Sequence, residues 1–149
     1  DMLKAVAKHF DSCDVLIKSA APVDYKPETV SPTKIKKKEN EEDELIIKYV
    51  KNPDIAAYFG KQKKHQVMVG FAAETNDLDR YALEKLKKKN FDFIVANDLT
   101  KEGAGFDVDT NIVTIIDNEG IKTNYPMMNK REVARVIVDK VKYILDNKS

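Results

Sequence analysis

The stretch from Val67 to Lys89 limits what this chain can fold into more than any other. It opens on an unbroken apolar run, Val67-Met68-Val69-Gly70-Phe71-Ala72-Ala73, and turns polar at Glu74-Thr75-Asn76-Asp77. An amphipathic segment from Leu78 to Lys89 follows. A short apolar run with β-branched residues and no polar interruption suits a strand covered on both faces. Asn76 or Asp77 is placed to cap the helix that comes next. Strand, polar loop and helix make half of a βαβ unit, and in open α/β sheets ligands bind where such strands end. Lys85 and Lys89 stand four apart on one helix face, about 6 Å apart along the axis. Two cations so placed suit the phosphates of a ligand at the strand end.

The chain before this stretch supplies a helix, a strand and an arm. Leu3, Val6 and Phe10 fall on one side of a first helix, and Val15–Ser19 reads as a strand ending in Ala20-Ala21-Pro22-Val23-Asp24-Tyr25. Small residues at a strand end let a flat ligand approach the backbone, although plain packing against a helix is the commoner use of such alanines. Pro22 and Pro27 indicate an irregular connection. Val30–Lys38 and Leu45–Val50 then read as two strands of an antiparallel arm, with Lys34, Lys36 and Lys38 on one face. Its all-polar tip, 39–43, is expected to be mobile. A projecting hairpin that carries apolar residues needs cover, and a second subunit is the natural source. The basic run alone reads most simply as a solvated face. Asn52 is a good N-cap and Pro53 suits the first position of a helix running to about Lys64. Free N–H groups there attract anions and Lys51 adds a charge, though Asn-Pro-Asp is also ordinary helix-start chemistry.

After the central stretch, Phe91–Ala96 predicts another buried strand, ending at the polar pair Asn97-Asp98. Asp107, Asp109 and Asn111 have the spacing of a calcium loop's first ligands. That loop also needs Gly and Glu where this chain has Ile112 and Asn118, so a calcium site is excluded. The glycines form neither the dinucleotide fingerprint nor a Walker loop. Ile112–Asp117 and Lys122–Met127 flank Asn118-Glu119-Gly120 as a hairpin. A last helix begins at Asn129 with Glu132 as a capping-box partner. Val133, Val136, Ile137, Val141, Ile144 and Leu145 form its apolar stripe.

Composition narrows the function. The 149 residues make one domain, 1–149, large enough to bury roughly two thirds of its surface. No apolar run is long enough to span a membrane, and nothing resembles a signal peptide. A single cysteine, Cys13, excludes an internal disulfide and suits a reducing cytoplasm. A net charge of +1 gives no basic field for nucleic acid, and the lysine runs lack interleaved aromatics. There is no nucleophilic triad. Cys13 reads as a structural thiol, and two histidines with one cysteine make no metal-ligand set. What remains is a set of strand ends and lysines suited to a polyphosphate, hence to transfer chemistry driven by positioning and charge.

These residues also form a familiar ordered series. Ala20-Ala21-Pro22-Val23-Asp24-Tyr25, Lys34-Ile35-Lys36-Lys37, Val50-Lys51-Asn52-Pro53-Asp54-Ile55, Val69-Gly70-Phe71-Ala72-Ala73-Glu74-Thr75, the Lys85/Lys89 spacing, Ala96-Asn97-Asp98 and Gly105-Phe106 follow one another. Over essentially its whole length the chain resembles the C-terminal synthetase domain of the bacterial coenzyme A biosynthesis protein, phosphopantothenoylcysteine synthetase (phosphopantothenate–cysteine ligase). The resemblance implies a Rossmann-like three-layer α/β sandwich with a largely parallel sheet. It also implies a β-hairpin arm at about 30–50 that joins a homodimer and acts as an active-site lid. The implied reaction uses CTP with Mg²⁺: 4′-phosphopantothenate attacks CTP to give an acyl-cytidylate and pyrophosphate, and the amine of cysteine displaces CMP. The positions matching the family's CTP contacts are Lys18, Ser19, Ala20, Asp24, Lys34, Val50, Lys51, Asn52, Pro53, Phe71, Lys85 and Lys89. Lys34 opens the family's flexible lysine motif and is the implied catalytic residue; no metal ligand is assigned.

The chain departs from the family pattern in one respect. The family's domain begins with a glycine-rich strand–loop–helix region that supplies an Asn for conversion of the acyl-cytidylate, and that region is absent from this sequence. So is the flavin-dependent decarboxylase domain fused to many relatives, to which any FMN would belong. The expectation is the C-terminal portion of a longer protein, also because the sequence starts on a helix rather than a strand. A non-catalytic nucleotide-binding or dimerisation module of the same ancestry is the alternative.

Overall fold

A computed structural model of the chain describes residues 1–35, 45–74, 78–98 and 110–148. The chain forms two compact units, Asp1–Ser19 with Ile55–Ser149, and Ala20–Asp54.

In the larger unit, helix α1 (Met2–Ala7) and a 3₁₀ turn (Phe10–Ser12) lead into strand β1 (Val15–Lys18). In the smaller unit β2 is Tyr25–Pro27 and β3 is Tyr49–Lys51. The larger unit resumes with α2 (Ile55–Gln62), β4 (Val67–Glu74), α3 (Leu78–Lys88) and β5 (Phe93–Asp98). It closes with β6 (Thr110–Asn111), β7 (Val113–Asp117), β8 (Lys122–Asn124), β9 (Met128–Asn129) and α4 (Lys130–Asn147). The main sheet has the order β1-β4-β5-β7-β8. β1, β4 and β5 run parallel, with Val15 opposite Val67 and Val69 opposite Phe93. β7 and β8 add an antiparallel margin beside β5. The fold is therefore the expected three-layer α/β sandwich, with a parallel centre and an antiparallel side.

Alternation along the strands divides the core in two. Met68, Ala72, Ile94, Ala96 and Ile116 face Phe10, Ala56 and Phe59, and Ala82 and Leu86 of α3. Val67, Val69, Phe93, Val95, Val113 and Ile115 face Val133, Ile137 and Val141 of α4. Both faces are dry, as the unbroken apolar run of β4 requires. Helix α4 starts on the expected capping box: Glu132 N–H donates to Asn129 Oδ1 at 2.9 Å, and Asn129 N–H to Glu132 Oε2 at 2.8 Å. Of its predicted stripe, Leu145 is the exception, 37% exposed at the last turn where the sheet no longer covers it. Gly120, with φ +84°, makes the turn of the β7–β8 hairpin.

A polar cluster fixes the end of the sheet where the parallel strands begin. Asp92 Oδ2 accepts from Met68 N–H at 2.6 Å and pairs with Lys63 Nζ at 2.7 Å, both side chains about nine-tenths buried. Lys148 Nζ donates to the carbonyls of His65 and Gln66 at 2.9 and 3.1 Å, which ties the end of α4 to the start of β4. Buried Gln66 donates to Phe10 O at 2.9 Å. Cys13, half-buried, donates to the same carbonyl at 3.4 Å and packs against the α2 and α3 core, in keeping with a structural thiol.

Three expectations shift. The predicted strand Val30–Lys38 is not extended pairing in its described part, 30–35; the arm's ladder lies nearer its base, between Tyr25–Pro27 and Tyr49–Lys51. A further backbone bond, Glu28 N–H to Lys48 O at 2.9 Å, carries the pairing one residue past Pro27. The helix expected from Pro53 begins at Ile55, since Asn52 is used otherwise, as described below. The strand expected at Phe91 begins at Phe93, because Asp92 N–H is taken by Met68 O before the ladder starts. The proposed cap at Asn76 or Asp77, the arm tip and Lys36 to Lys38, and the glycine loop with Asp107 and Asp109 lie outside the described residues.

The ends of α2 and α3 meet at a glycine. Asn90, at φ 53°, closes α3 and donates from Nδ2 to Gly60 O at 3.0 Å, while Lys89 O lies where a Cβ on Gly60 would stand. That obstacle is backbone and cannot rotate away. Gly60→Ala is therefore expected to cost about 1–3 kcal/mol, read as a lower urea midpoint at unchanged slope. An unchanged midpoint would mean that the two helices can separate freely.

Candidate functional site

In the larger unit the parallel strands β4 and β5 end together, at Glu74 and Asp98, and β1 ends earlier, at Lys18 beside Gly70. That is where an open α/β sheet offers its backbone and side chains to a ligand. Cover by α4 stops short of this end. Along one face of β4, Val67 and Val69 are fully buried, but Phe71 is 37% exposed; Ile17, on the same face of β1, is 42% exposed. Lys18 sits opposite Gly70 in the ladder, so Lys18 and Ser19 run directly beside the strand that carries Phe71. Gly70 itself has no room for a side chain, because the Phe91 ring fills that space. Alternation puts Lys18 with Leu16 and Gly70 on the Met68 face, the side of the sheet opposite Phe71, so the two share neighbouring strands but not one face.

Lys85 and Lys89 take a different position. Both belong to the last turn of α3 and its exit, about 10 and 16 Å along the helix from Leu78 at 1.5 Å per residue. α3 packs on the Met68 face of β4, whereas alternation puts Phe71 on the Val67 face. Within this unit the two lysines and the aromatic ring are therefore on opposite sides of the sheet. Lys85 and Lys89 are half-buried, while Lys87 and Lys88 are exposed, so the four-residue spacing does select the inward-turned pair.

In the smaller unit the predicted residues converge at the base of the arm. Tyr25 lies opposite Lys51, and Lys26 opposite Val50. Asn52 N–H donates to Asp24 O at 2.7 Å, and Asn52 Nδ2 to Val23 O at 2.9 Å. Asn52 is thus not a helix cap; its amide clamps the two sides of the arm together. This places Asp24 beside Val50, Lys51 and Asn52. Ala20, Asp24, Lys34, Lys51 and Pro53 are exposed. Lys34 lies in an irregular stretch away from this ladder, where Ser31 Oγ donates to Thr33 O at 2.6 Å.

Asn97 carries a signal that the sequence reading passed over. It stands on β5 between Ala73 of β4 and Val113 of β7, and its Nδ2 donates to Asn111 Oδ1 at 3.4 Å. Its own Oδ1 is buried and has no hydrogen-bond partner among the described residues. The motif Ala96-Asn97-Asp98 had pointed to this strand end, but only the fold puts Asn111 against it. Among the described residues no group of three or more His, Cys, Asp or Glu side chains could hold a metal ion. Also among the described residues, no helix is long and apolar enough to cross a membrane.

A sandwich of this kind, with three parallel strands at its centre and an antiparallel margin, defines a Rossmann-like α/β domain. The chain belongs to the family described as the DNA/pantothenate metabolism flavoprotein C-terminal domain, whose model matches residues 1–144. It is 43% identical over 141 residues to the coenzyme A biosynthesis bifunctional protein CoaBC of Bacillus subtilis (strain 168), covering 95% of this chain and 34% of that protein. To the protein of the same name from Escherichia coli (strain K12) it is 39% identical over 150 residues, covering 100% of this chain and 37% of that one. A protein from an unknown prokaryotic organism, named cysteine/cysteine sulfinic acid decarboxylase, is 42% identical over 142 residues, covering 95% of this chain and 39% of that one. The chain spans about a third of the length of these relatives. Among solved structures, the C-terminal domain of a CoaBC bifunctional protein superposes with a TM-score of 0.79 at 35% identity, over 99% of this chain and 63% of that one.

Proposed function

We propose that this chain is the nucleotide-binding part of a CTP-dependent phosphopantothenate–cysteine ligase of coenzyme A biosynthesis. The observation that carries this reading is the match of nearly the whole chain to CoaBC proteins, at 43% identity with the Bacillus subtilis relative. The fold agrees with the solved C-terminal domain of such a protein. On this reading the carboxylate of 4′-phosphopantothenate attacks the α-phosphorus of CTP, forming an acyl-cytidylate and releasing pyrophosphate. The amine of cysteine, having lost a proton, then attacks the acyl carbonyl, and CMP leaves.

The chain's part is positioning and charge. Lys18, Ser19, Ala20 and Phe71 serve as contacts for CTP, and Asp24 accepts a hydrogen bond from its sugar or base. Val50, Lys51, Asn52 and Pro53 contribute backbone and charge from the base of the arm. Lys34 meets the developing phosphate charge as the catalytic residue, with Lys85 and Lys89 as further phosphate contacts. Mg²⁺ bound with CTP supplies neutralising charge on the phosphates. The arm's apolar residues, among them Ile35 at 60% and Ile47 at 45% exposure, serve a homodimer contact. The working protein is cytoplasmic, and in fused forms its FMN belongs to a phosphopantothenoylcysteine decarboxylase domain.

The reading is tested on the full-length protein. CTP with Mg²⁺ is expected to raise the thermal midpoint more than ATP with Mg²⁺ does, through binding to the native state; equal shifts would remove cytidine selectivity. Ligase turnover with CTP, 4′-phosphopantothenate and cysteine should release pyrophosphate and CMP in equal amounts, and no turnover would leave a non-catalytic module. The lysines of α3 divide the reading more finely. Lys85→Gln or Lys89→Gln should weaken CTP binding by about 1–3 kcal/mol, the worth of a charge-assisted hydrogen bond. Lys87→Gln should stay within about 0.5 kcal/mol, as an exposed change does. Calorimetry at one salt concentration checks this, and equal small effects would drop the phosphate assignment. For the arm, charged residues in place of Ile35 and Ile47 should move sedimentation toward the monomer, because unpaired charge would be buried in the contact. An unchanged dimer would put the contact elsewhere.

A further inference from the structure

The C-terminal end of β5 holds a polar group that no described residue uses. Asn97 lies on the face of β5 that also carries Phe93 and Val95, both buried under α4. One strand over, Ala73 is opposite Asn97 and Phe71 is opposite Val95, so Asn97 and the half-exposed Phe71 ring are diagonal neighbours on one face. On the other side, Asn111 of β6 receives the Nδ2 hydrogen of Asn97 at 3.4 Å. Oδ1 of Asn97 is out of contact with solvent and, among the described residues, has no donor. Turning both amides end for end would exchange the roles but would still leave one polar atom of Asn97 over, since the pair shares a single hydrogen bond. A buried acceptor without a donor destabilises the folded state, because it has given up its hydrogen bond to water and gained none. An apolar β-branched residue would fill a central strand more cheaply.

We propose that Asn97 is a ligand-binding residue of this strand end, whose Oδ1 accepts a hydrogen bond from a neutral N–H or O–H group of a bound substrate. The position fits: it is the C-terminal end of a parallel strand, next to an aromatic ring that α4 leaves open. The acceptor is neutral, so it selects a ligand by its donor rather than by its charge. This rests on the proposed ligase, whose substrates offer such donors from two sources. One is the exocyclic amine of the cytosine base, and the other is a hydroxyl or amide of 4′-phosphopantothenate. Binding replaces the missing partner, so the energy lost in the free protein is recovered only when the ligand is present.

The test measures the affinities of CTP and of 4′-phosphopantothenate for the full-length protein by calorimetry, in wild type and in Asn97→Ala. One of the two is expected to weaken about tenfold, with the other within about twofold, and the affected ligand identifies the source of the donor. If it is CTP, wild type should also prefer CTP to UTP, which lacks the amine, and Asn97→Ala should lose that preference. Asn97→Thr keeps a hydroxyl acceptor and suits a strand; it should retain part of the lost affinity and replaces the alanine variant if that one does not fold. Affinities within twofold for both ligands, with only the thermal midpoint changed, would overturn the proposal and leave Asn97 a structural residue. Failure of the wild type itself to bind CTP would sink the ligase reading instead, so the two results are distinguishable.

Discussion

Everything in the larger unit leans on one buried carboxylate. Asp92 binds the N–H of Met68 and the ammonium of Lys63, and so fixes where β4 and β5 start relative to each other. A parallel ladder has no hairpin to set its register, and a slip of one residue would exchange the two buried faces of β4. Removing one partner of such a pair would leave an uncompensated charge in a dry place. The pin therefore acts through register, and the faces of both core layers follow from it.

With the starts of the strands fixed, their ends are free to serve. The polar cluster of Lys63, Gln66, Asp92 and Lys148 is gathered at one end of the sheet, and Lys18, Phe71 and Asn97 are found toward the other. α4 spans the face between them but leaves Phe71 open. Stability and ligand chemistry are thus separated along the strand axis by three residues from Met68 to Phe71 and five from Asp92 to Asn97, about 10 to 17 Å at 3.3 Å per residue.

Much of this was legible in the residue order. The apolar run of β4, the capping box of α4 and the turn at Gly120 are local devices, and each folds as its sequence says. What escaped were partners far apart in the chain. Asn52 looks like a helix cap until Val23 and Asp24 are seen beside it. The arm's strands were set too far out because apolar alternation at 30–38 says nothing of which residues will pair. The spacing of Lys85 and Lys89 correctly gave one helix face, yet could not say on which side of the sheet that face would lie. Asn97 was visible only as part of a motif; its orphaned acceptor is a property of the packing.

The two margins of the main sheet have opposite chemistry. β8, Lys122-Thr123-Asn124, is short, polar and fully exposed, which discourages any further strand from pairing there. β1, Val15-Leu16-Ile17-Lys18, pairs only with β4 among the described residues and is mostly apolar. A sheet guarded on one side and unguarded on the other has a direction of growth. Any strand that joins it, from this chain's own protein or from a neighbour, has its natural place along β1, next to Ile17 and the strand end that carries Lys18.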